Sequence, residues 1–392
     1  MKHLVLAGGG HAHIEVLRRF GAQRGFGHRL TVINPDRYSP YSGMLPGLIA
    51  GHYTWEQCHI DLGGLCAQAG AELVQAQVTS VDPEKRTIAL DNGCTLNWDL
   101  LSINTGSTPD LAAVPGALEH VVPIKPMSGF LRAWEALLRS MQEGGCRPAR
   151  ITVVGGGAGG VEVVLAIHHR LRAMGQGRST ISLVTNDLLP THARRVRHVV
   201  THALDAARIA LLEGRRVVEA KLGTLHFASG PILETTFTVW ITGAAAPSWL
   251  ARSRLATDAR GFLTVDGSLR SVSHPWVLAA GDVASLASRP VPKAGVYAVR
   301  QGPVLAENIM RLLREEPPIA YKPQQRFLSL LSLGERRAVA SWGSWAVAGA
   351  WVWKLKDRID RAFMRRYDFR PARPAVEIEI SECLRKGTRP PR

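Results

Sequence analysis

One pattern constrains this chain more than any other: a strand, a glycine-rich turn, a helix and a second strand occur twice, roughly 150 residues apart. The first copy starts with His3-Leu4-Val5-Leu6-Ala7 and Gly8-Gly9-Gly10. It continues through a helical pattern with Ile14, Val16, Leu17 and Phe20 apolar, to a strand over 30–33. The second copy has a strand over 150–154, then Gly155-Gly156-Gly157-Ala158-Gly159-Gly160, a helix over 161–174 and a strand over 180–184. Short, wholly apolar runs of this kind suit parallel strands covered on both faces. The repeat predicts an α/β protein with two Rossmann-like dinucleotide-binding domains.

The glycines carry a chemical expectation. Such a turn needs one small residue for the tight bend, one for close approach of backbone N–H groups to a pyrophosphate, and one for packing helix on strand. The helix N-terminus then faces the phosphate charge. Gly155, Gly157 and Gly160 fill all three places. In the first copy Gly8 and Gly10 fill two, His11 follows them, and the third place is His13. The acid that binds a ribose hydroxyl is missing after both second strands. Asn34 stands in the first copy with Asp36 beyond, and Thr185-Asn186 in the second with Asp187 beyond. The choice between NADH and NADPH therefore stays open. Arg194, Arg195 and Arg197 read either as cations for a 2′-phosphate or as an exposed basic helix face.

The other elements fit between these units. Residues 38–52, rich in Pro, Gly, Ser and Tyr, read as an irregular segment over a ligand. Strands are expected over 72–78, 87–90, 100–104 and 276–279, and helices over 127–141 and 295–313. Composition adds exclusions. An apolar content of 46% with 20% charged residues is that of a globular chain. A net charge of +16 favours anionic partners such as dinucleotide phosphates or anionic lipid. No element that reads nucleic acid is recognisable. The five cysteines, Cys58, Cys66, Cys94, Cys146 and Cys383, show no C-x-x-C spacing, so neither a metal site nor a disulfide framework is expected. The first strand starts too early to leave room for a signal peptide, and no apolar run is long enough for a membrane span. The expected location is cytoplasmic.

Two dinucleotide units followed by a late Ala280-Gly281-Asp282 resemble the pyridine nucleotide-disulfide oxidoreductase superfamily, over roughly residues 1–315. The resemblance implies FAD in the first unit and NADH or NADPH in the second. It places Gly281-Asp282 at the ribityl–phosphate region of FAD and Thr105-Gly106 where the chain leaves the FAD domain. It implies an FAD-binding domain over 1–118 and 267–315, an inserted NAD(P)H-binding domain over 119–266 and a C-terminal region over 316–392. Without a close cysteine pair, disulfide chemistry is not expected.

Within the superfamily the chain looks like the type II NADH dehydrogenases, which pass electrons from NADH through FAD to quinone. Gly160-Val161-Glu162 matches their second glycine turn. By that resemblance Glu162 lies near flavin and nicotinamide, although a helix N-terminal acid favoured by the dipole reads equally well. The segment 293–302 resembles their quinone-side helix. Tyr297 replaces the first glutamine expected there, and Gln301 is kept. Lys293 would stand near the flavin, or is a surface lysine. Tyr41-Ser42-Gly43-Met44-Leu45-Pro46-Gly47, His59-Ile60-Asp61-Leu62 and Trp353-Lys354-x-Lys356-Asp357-Arg358-Ile359-Asp360-Arg361 resemble a bacterial branch found alone or fused to selenide, water dikinase. A sulfide:quinone oxidoreductase-like enzyme and a non-catalytic flavin- or NAD(P)H-binding regulatory module are the alternatives.

The C-terminal region reads two ways. Trp342, Trp345, Trp351 and Trp353 lie ahead of a basic helix over 354–367. Such a combination suits an anionic membrane surface, peripheral on the inner face of the cell membrane. It also suits a Trp-rich core helix packed on the flavin domain. A disordered basic tail is expected at 387–392. A homodimer is compatible with all of this.

Overall fold

The structure is a computed structural model, and it describes residues 1–22, 27–143 and 148–368. Cys146, Cys383 and the expected basic tail lie outside these residues.

The strands that build the two central sheets are, in chain order, β1 (His3–Ala7), β2 (Arg29–Ile33), β3 (Glu72–Val74), β4 (Leu100–Ile103), β5 (Val122–Pro123), β6 (Arg150–Val154), β7 (Thr180–Thr185), β8 (Ala210–Glu213), β9 (Phe237–Trp240) and β10 (Val277–Ala279). The first sheet has the order β10-β4-β1-β2-β3, and the second β5-β9-β6-β7-β8. All pairings within both are parallel. The second sheet is thus built between β4 and β10 of the first, so the second Rossmann-like domain is inserted in the first. Apolar runs become buried strands here because both faces of each sheet are covered, by helices and by small antiparallel sheets. Leu4, Val5 and Leu6 of β1, and Val153 of β6, are completely buried.

The main helices are α1 (His11–Gly21), α2 (Met127–Glu143), α3 (Ala158–Ala173), α4 (Arg194–Ala206), α5 (Gly295–Leu313) and α6 (Ala350–Arg365). Each glycine turn leads straight into a helix, α1 after β1 and α3 after β6. The segment expected as irregular at 38–52 has more structure than its composition suggests. It holds a short strand Tyr38–Pro40, a 3₁₀ turn Ser42–Met44 and a helix Leu45–Ala50. Pro46 pre-sets the backbone in that helix's first turn. The expected strand at 72–78 is two strands, because the chain leaves the sheet after Val74 and starts the separate Val78–Asp82.

The C-terminal region differs most from its sequence pattern. Trp342 and Trp345 are not on a helix. They face each other across a hairpin, β12 (Ala338–Trp342) and β13 (Trp345–Gly349), that extends β11 (Ser329–Ser332). Leu331 and Val339 of this sheet join the core of the second domain, while Phe363 and Tyr367 from the α6 end join the core of the first. The region is a clasp across both.

Candidate functional site

At the second glycine turn each glycine has a visible reason. Gly155 has φ +129°, and its N–H donates to Val184 O at 2.8 Å. A Cβ there would lie 2.6 Å from Ile241 O. A Cβ at Gly160 would lie 1.8 Å from Gly155 O, so only glycine allows α3 to approach the turn. Gly157, the N-cap of α3, would direct a Cβ into open space. No side chain caps that helix and no acid stands in its first turn. This leaves free N–H groups and the positive helix end facing an open approach, an arrangement that could hold a pyrophosphate.

The first turn reaches the same end with different chemistry. Gly8 has φ +98°, and its N–H donates to Ile33 O at 2.7 Å. A Cβ on Gly10 would lie 2.3 Å from Asn104 Oδ1. His13, in the third place, is fully buried. Its Nδ1 donates to Gly8 O at 2.6 Å, and its Nε2 accepts from Ser102 Oγ at 2.8 Å. A carbonyl only accepts, so the tautomer is fixed with the proton on Nδ1. Burial pushes the imidazole pKa down to about 4, against the Gly8 hydrogen bond, so the ring is neutral. His13 therefore replaces the usual close contact with a bridge from turn to strand.

Asn34 and Asn104 complete this turn. Asn34 Oδ1 accepts from Gly9 N at 2.8 Å, and its Nδ2 donates to Asp36 O at 2.7 Å. Asn104, which the sequence reading did not single out, follows β4. Its Oδ1 accepts from Ala12 N and His13 N at 3.1 and 3.3 Å, and its Nδ2 donates to Ala280 O at 2.5 Å. It ties the α1 N-terminus to the late Gly281-Asp282 turn. On the same turn Gly281 N donates to Gln301 Oε1 at 2.6 Å, so Gln301 of α5 holds the Gly281 backbone. Thr105 Oγ1 is buried and has no partner among the described residues, whereas Gly106 beside it opens on free space. An orphaned hydroxyl beside an open glycine turn is what a polar cofactor would satisfy.

Asp282 accepts from Lys125 Nζ at 2.8 Å and Ser107 Oγ at 3.1 Å. Burial opposes its charge, but Lys125 and Ser107 outweigh burial and hold the carboxyl below its ordinary range. His11 lies within the field of Asp282 and Lys125, and its ring meets Tyr41 and Phe363 at centroid distances of 5.5 and 5.9 Å. Burial lowers its pKa to about 4. Lys293 donates to Ala284 O at 2.6 Å and sits 3.9 Å over the Phe262 ring. Burial lowers its pKa to about 8.

A second cluster joins α3 to the C-terminal helix. Glu162 Oε1 accepts from Ser332 N at 2.8 Å. Burial raises its pKa to about 7, opposed by Lys356 and the Ser332 N–H and reinforced by Asp360. Lys356 Nζ donates to Gly43 O at 2.6 Å and Asp360 Oδ2 at 2.7 Å. Tyr41 donates to Asp360 Oδ1 at 3.2 Å. Burial works against the Lys356 ammonium, yet Asp360 and Glu162 outweigh it and keep the group charged. The lysine and aspartate stand four residues apart, one helical turn, and this spacing in the quoted terminal motif was the available signal. The structure thus brings Gly8, Gly10, His11, Asn34, Thr105, Gly106, Gly281, Asp282 and Gln301 around one helix end. Gly155, Gly157 and Gly160 line another, and Glu162 meets the C-terminal helix.

Two parallel sheets, each opening on a glycine turn and helix, with one domain inserted in the other, define a two-dinucleotide-domain oxidoreductase. Residues 2–302 match the model of the pyridine nucleotide-disulphide oxidoreductase family, and the chain belongs to that family. An NADH dehydrogenase-like protein of Mycobacterium tuberculosis is 28% identical over 299 residues, 73% of this chain and 74% of its own. Among solved structures, NDH2 from Plasmodium falciparum in complex with NADH superposes with a TM-score of 0.78 at 16% identity, covering 93% of this chain and 97% of that one. The sulfide:quinone oxidoreductase of Aquifex aeolicus superposes with a TM-score of 0.77 at 19% identity, covering 95% and 93%.

Proposed function

We propose that this protein is an FAD-dependent NAD(P)H oxidoreductase that delivers electrons to a quinone-type acceptor. The observation that carries it is the pair of glycine turns, each leading straight into a helix with no acid in its first turn, on two sheets of one chain. We assign residues 1–118 and 267–315 to FAD, 119–266 to NAD(P)H and 316–392 to a C-terminal region. Bound FAD would accept hydride from the nicotinamide and pass electrons on in a second step.

The chain's own groups hold and orient. Gly8, Gly10 and the α1 N-terminus take the FAD pyrophosphate, with His11 beside them. Asn34 and Asn104 keep that turn in shape, and Thr105 Oγ1 and Asp282 face the ribityl side. Gly155, Gly157 and Gly160 serve the NAD(P)H pyrophosphate. Lys125 and Lys293 add positive charge on the FAD side, favouring a reduced, anionic ring. Glu162, with a pKa near the working pH, is suited to hold and release a proton on the acceptor side. Lys356 balances its charge.

The sulfide:quinone alternative is less well served. Burial pushes the Cys58 and Cys66 thiols up to about 12, so neither is a ready nucleophile. The reading is tested by the absorption spectrum and by rapid mixing with NADH and NADPH, then with a panel of quinones. Flavin bands, fast bleaching by a reduced nicotinamide and reoxidation by quinone are expected. A purified full-length chain without FAD would defeat the proposal, and failure of flavin reduction would favour a regulatory module.

We also assign α6 and its hairpin to an anionic membrane surface. No helix of the described residues is long and apolar enough to cross a membrane. Trp342, Trp345 and Trp351 are nonetheless 50, 74 and 57% exposed. With Val347, Leu355 and Ile359 they form an outward apolar ridge beside Lys354 and Arg358. The protein would then be peripheral on the inner face of the cell membrane.

A further inference from the structure

The two Rossmann-like domains of this chain can be laid on each other by their hydrogen bonds. Gly8 N donates to Ile33 O and Gly155 N donates to Val184 O, so Asn34 and Thr185 occupy equivalent places just past those carbonyls. That is where a carboxylate reads both hydroxyls of an adenosine ribose and repels a 2′-phosphate. In the nicotinamide half the side chain there is Thr185, whose Oγ1 donates to Asp187 O at 2.8 Å. The next residue, Asn186, is exposed and neutral.

Of the two carboxylates nearby, Glu213 is paired with a guanidinium group and Asp187 is exposed with one amide donor. Asp187 Oδ2 accepts from Asn186 Nδ2 at 2.9 Å. Glu213, at the end of β8, accepts from Leu188 N at 3.0 Å and from Arg197 Nη2 at 2.6 and 2.8 Å. Leu189 N donates to Gly156 O at 2.8 Å, which folds the 186–193 loop back onto the glycine turn. That loop ends in Arg194 and Arg195, both exposed and without an ion pair among the described residues. Arg197 therefore belongs to the loop's own structure, while Arg194 and Arg195 remain available. The segment from β7 to the start of α4 thus carries a hydroxyl, an amide, the exposed Asp187 carboxylate and two guanidinium groups without an ion pair among the described residues.

We propose that Thr185, Asn186, Arg194 and Arg195 make this coenzyme site receptive to a 2′-phosphate, so that the chain takes NADPH at least as well as NADH. The proposal rests on the second glycine turn being the nicotinamide site. The missing acid removes the repulsion that excludes a 2′-phosphate, and the arginines supply attraction that salt screens.

The test uses FAD-loaded full-length protein and titration calorimetry with NAD⁺ and NADP⁺, which bind without reducing the flavin. NADP⁺ is expected to bind at least as tightly as NAD⁺, with the steeper salt dependence. Asn186→Asp should weaken NADP⁺ about tenfold while NAD⁺ changes little. The double variant Arg194→Ser, Arg195→Ser should weaken NADP⁺ alone. Retained NAD⁺ binding shows in each case that the variant is folded. A preference of about tenfold or more for NAD⁺ in the natural chain overturns the proposal. An unchanged NADP⁺:NAD⁺ ratio in both variants overturns the assignment of these residues. Binding of neither nucleotide overturns the nicotinamide reading itself, and this proposal with it.

Discussion

At the scale of single residues, His13 and Glu162 show opposite uses of burial. His13 stands where a glycine is expected, and the structure accommodates it with two hydrogen bonds and a fixed tautomer. Each such bond contributes about 1 kcal/mol net, and an unpaired buried partner costs about 1–3 kcal/mol. Glu162 gains a raised pKa instead. Its carboxyl moves from an ordinary 4.5 to about 7 on folding, burial being the main cause. The folded state therefore holds this proton where the unfolded chain has released it. The stabilisation is complete below pH 4.5 and is lost as pH rises through 7. Glu162→Gln should flatten that part of the stability curve. Urea unfolding at pH 5.5 and at pH 8 is the check, with wild type losing more stability than the variant between the two. An equal loss in both would show that Glu162 is not the titrating group.

At the scale of elements, α6 has two working faces. One carries Lys356, Asp360 and Phe363 against Tyr41, Gly43 and His11. The other exposes Trp351, Leu355 and Ile359 at helical spacing. A Cβ on Gly349 would lie 3.1 Å from the Trp351 ring, so glycine is what lets this tryptophan sit against the junction of hairpin and helix. Replacing Trp351, Leu355 and Ile359 together by Ser should abolish flotation with anionic vesicles while leaving the flavin spectrum intact. Flotation as strong as that of wild type would show that the ridge has another purpose. The sequence offered membrane docking and packing on the flavin domain as competing readings. The helix packs with one face and exposes an apolar row on the other.

At the scale of the whole molecule, the two sheets are separate units, and the proposed division of duties between them can be tested by perturbing each alone. A Cβ at Gly157 meets nothing within 4 Å, and the backbone there has an ordinary φ of −71°. Gly157→Leu should therefore fold normally, keep its FAD and lose most NAD(P)H affinity, measured by calorimetry and by the flavin spectrum. Loss of FAD with nicotinamide binding intact would mean that the two domains were assigned the wrong way round. Gly160 has no such freedom, because Gly155 O lies 1.8 Å from its Cβ position.

The repeat, both glycine turns, the long helix at Gly295–Leu313 and most of the strands were legible because they depend on local patterns: apolar runs, glycine spacing and helical period. Where the C-terminal tryptophans would lie was not legible, since a hairpin and a helix share much the same local composition there. Asn104, Lys125 and Lys356 were missed for a related reason. Each is an ordinary polar residue until chain crossings of 92, 157 and 313 residues bring it to Ala12, Asp282 and Gly43. The sequence by itself determined that two strand–glycine turn–helix units would form, because a tight turn and the helix after it need only neighbouring residues. Only the tertiary structure decided how the histidine in the first turn is tolerated, which carboxylates are already engaged and which cations remain available. Those outcomes depend on burial and on partners distant in the chain.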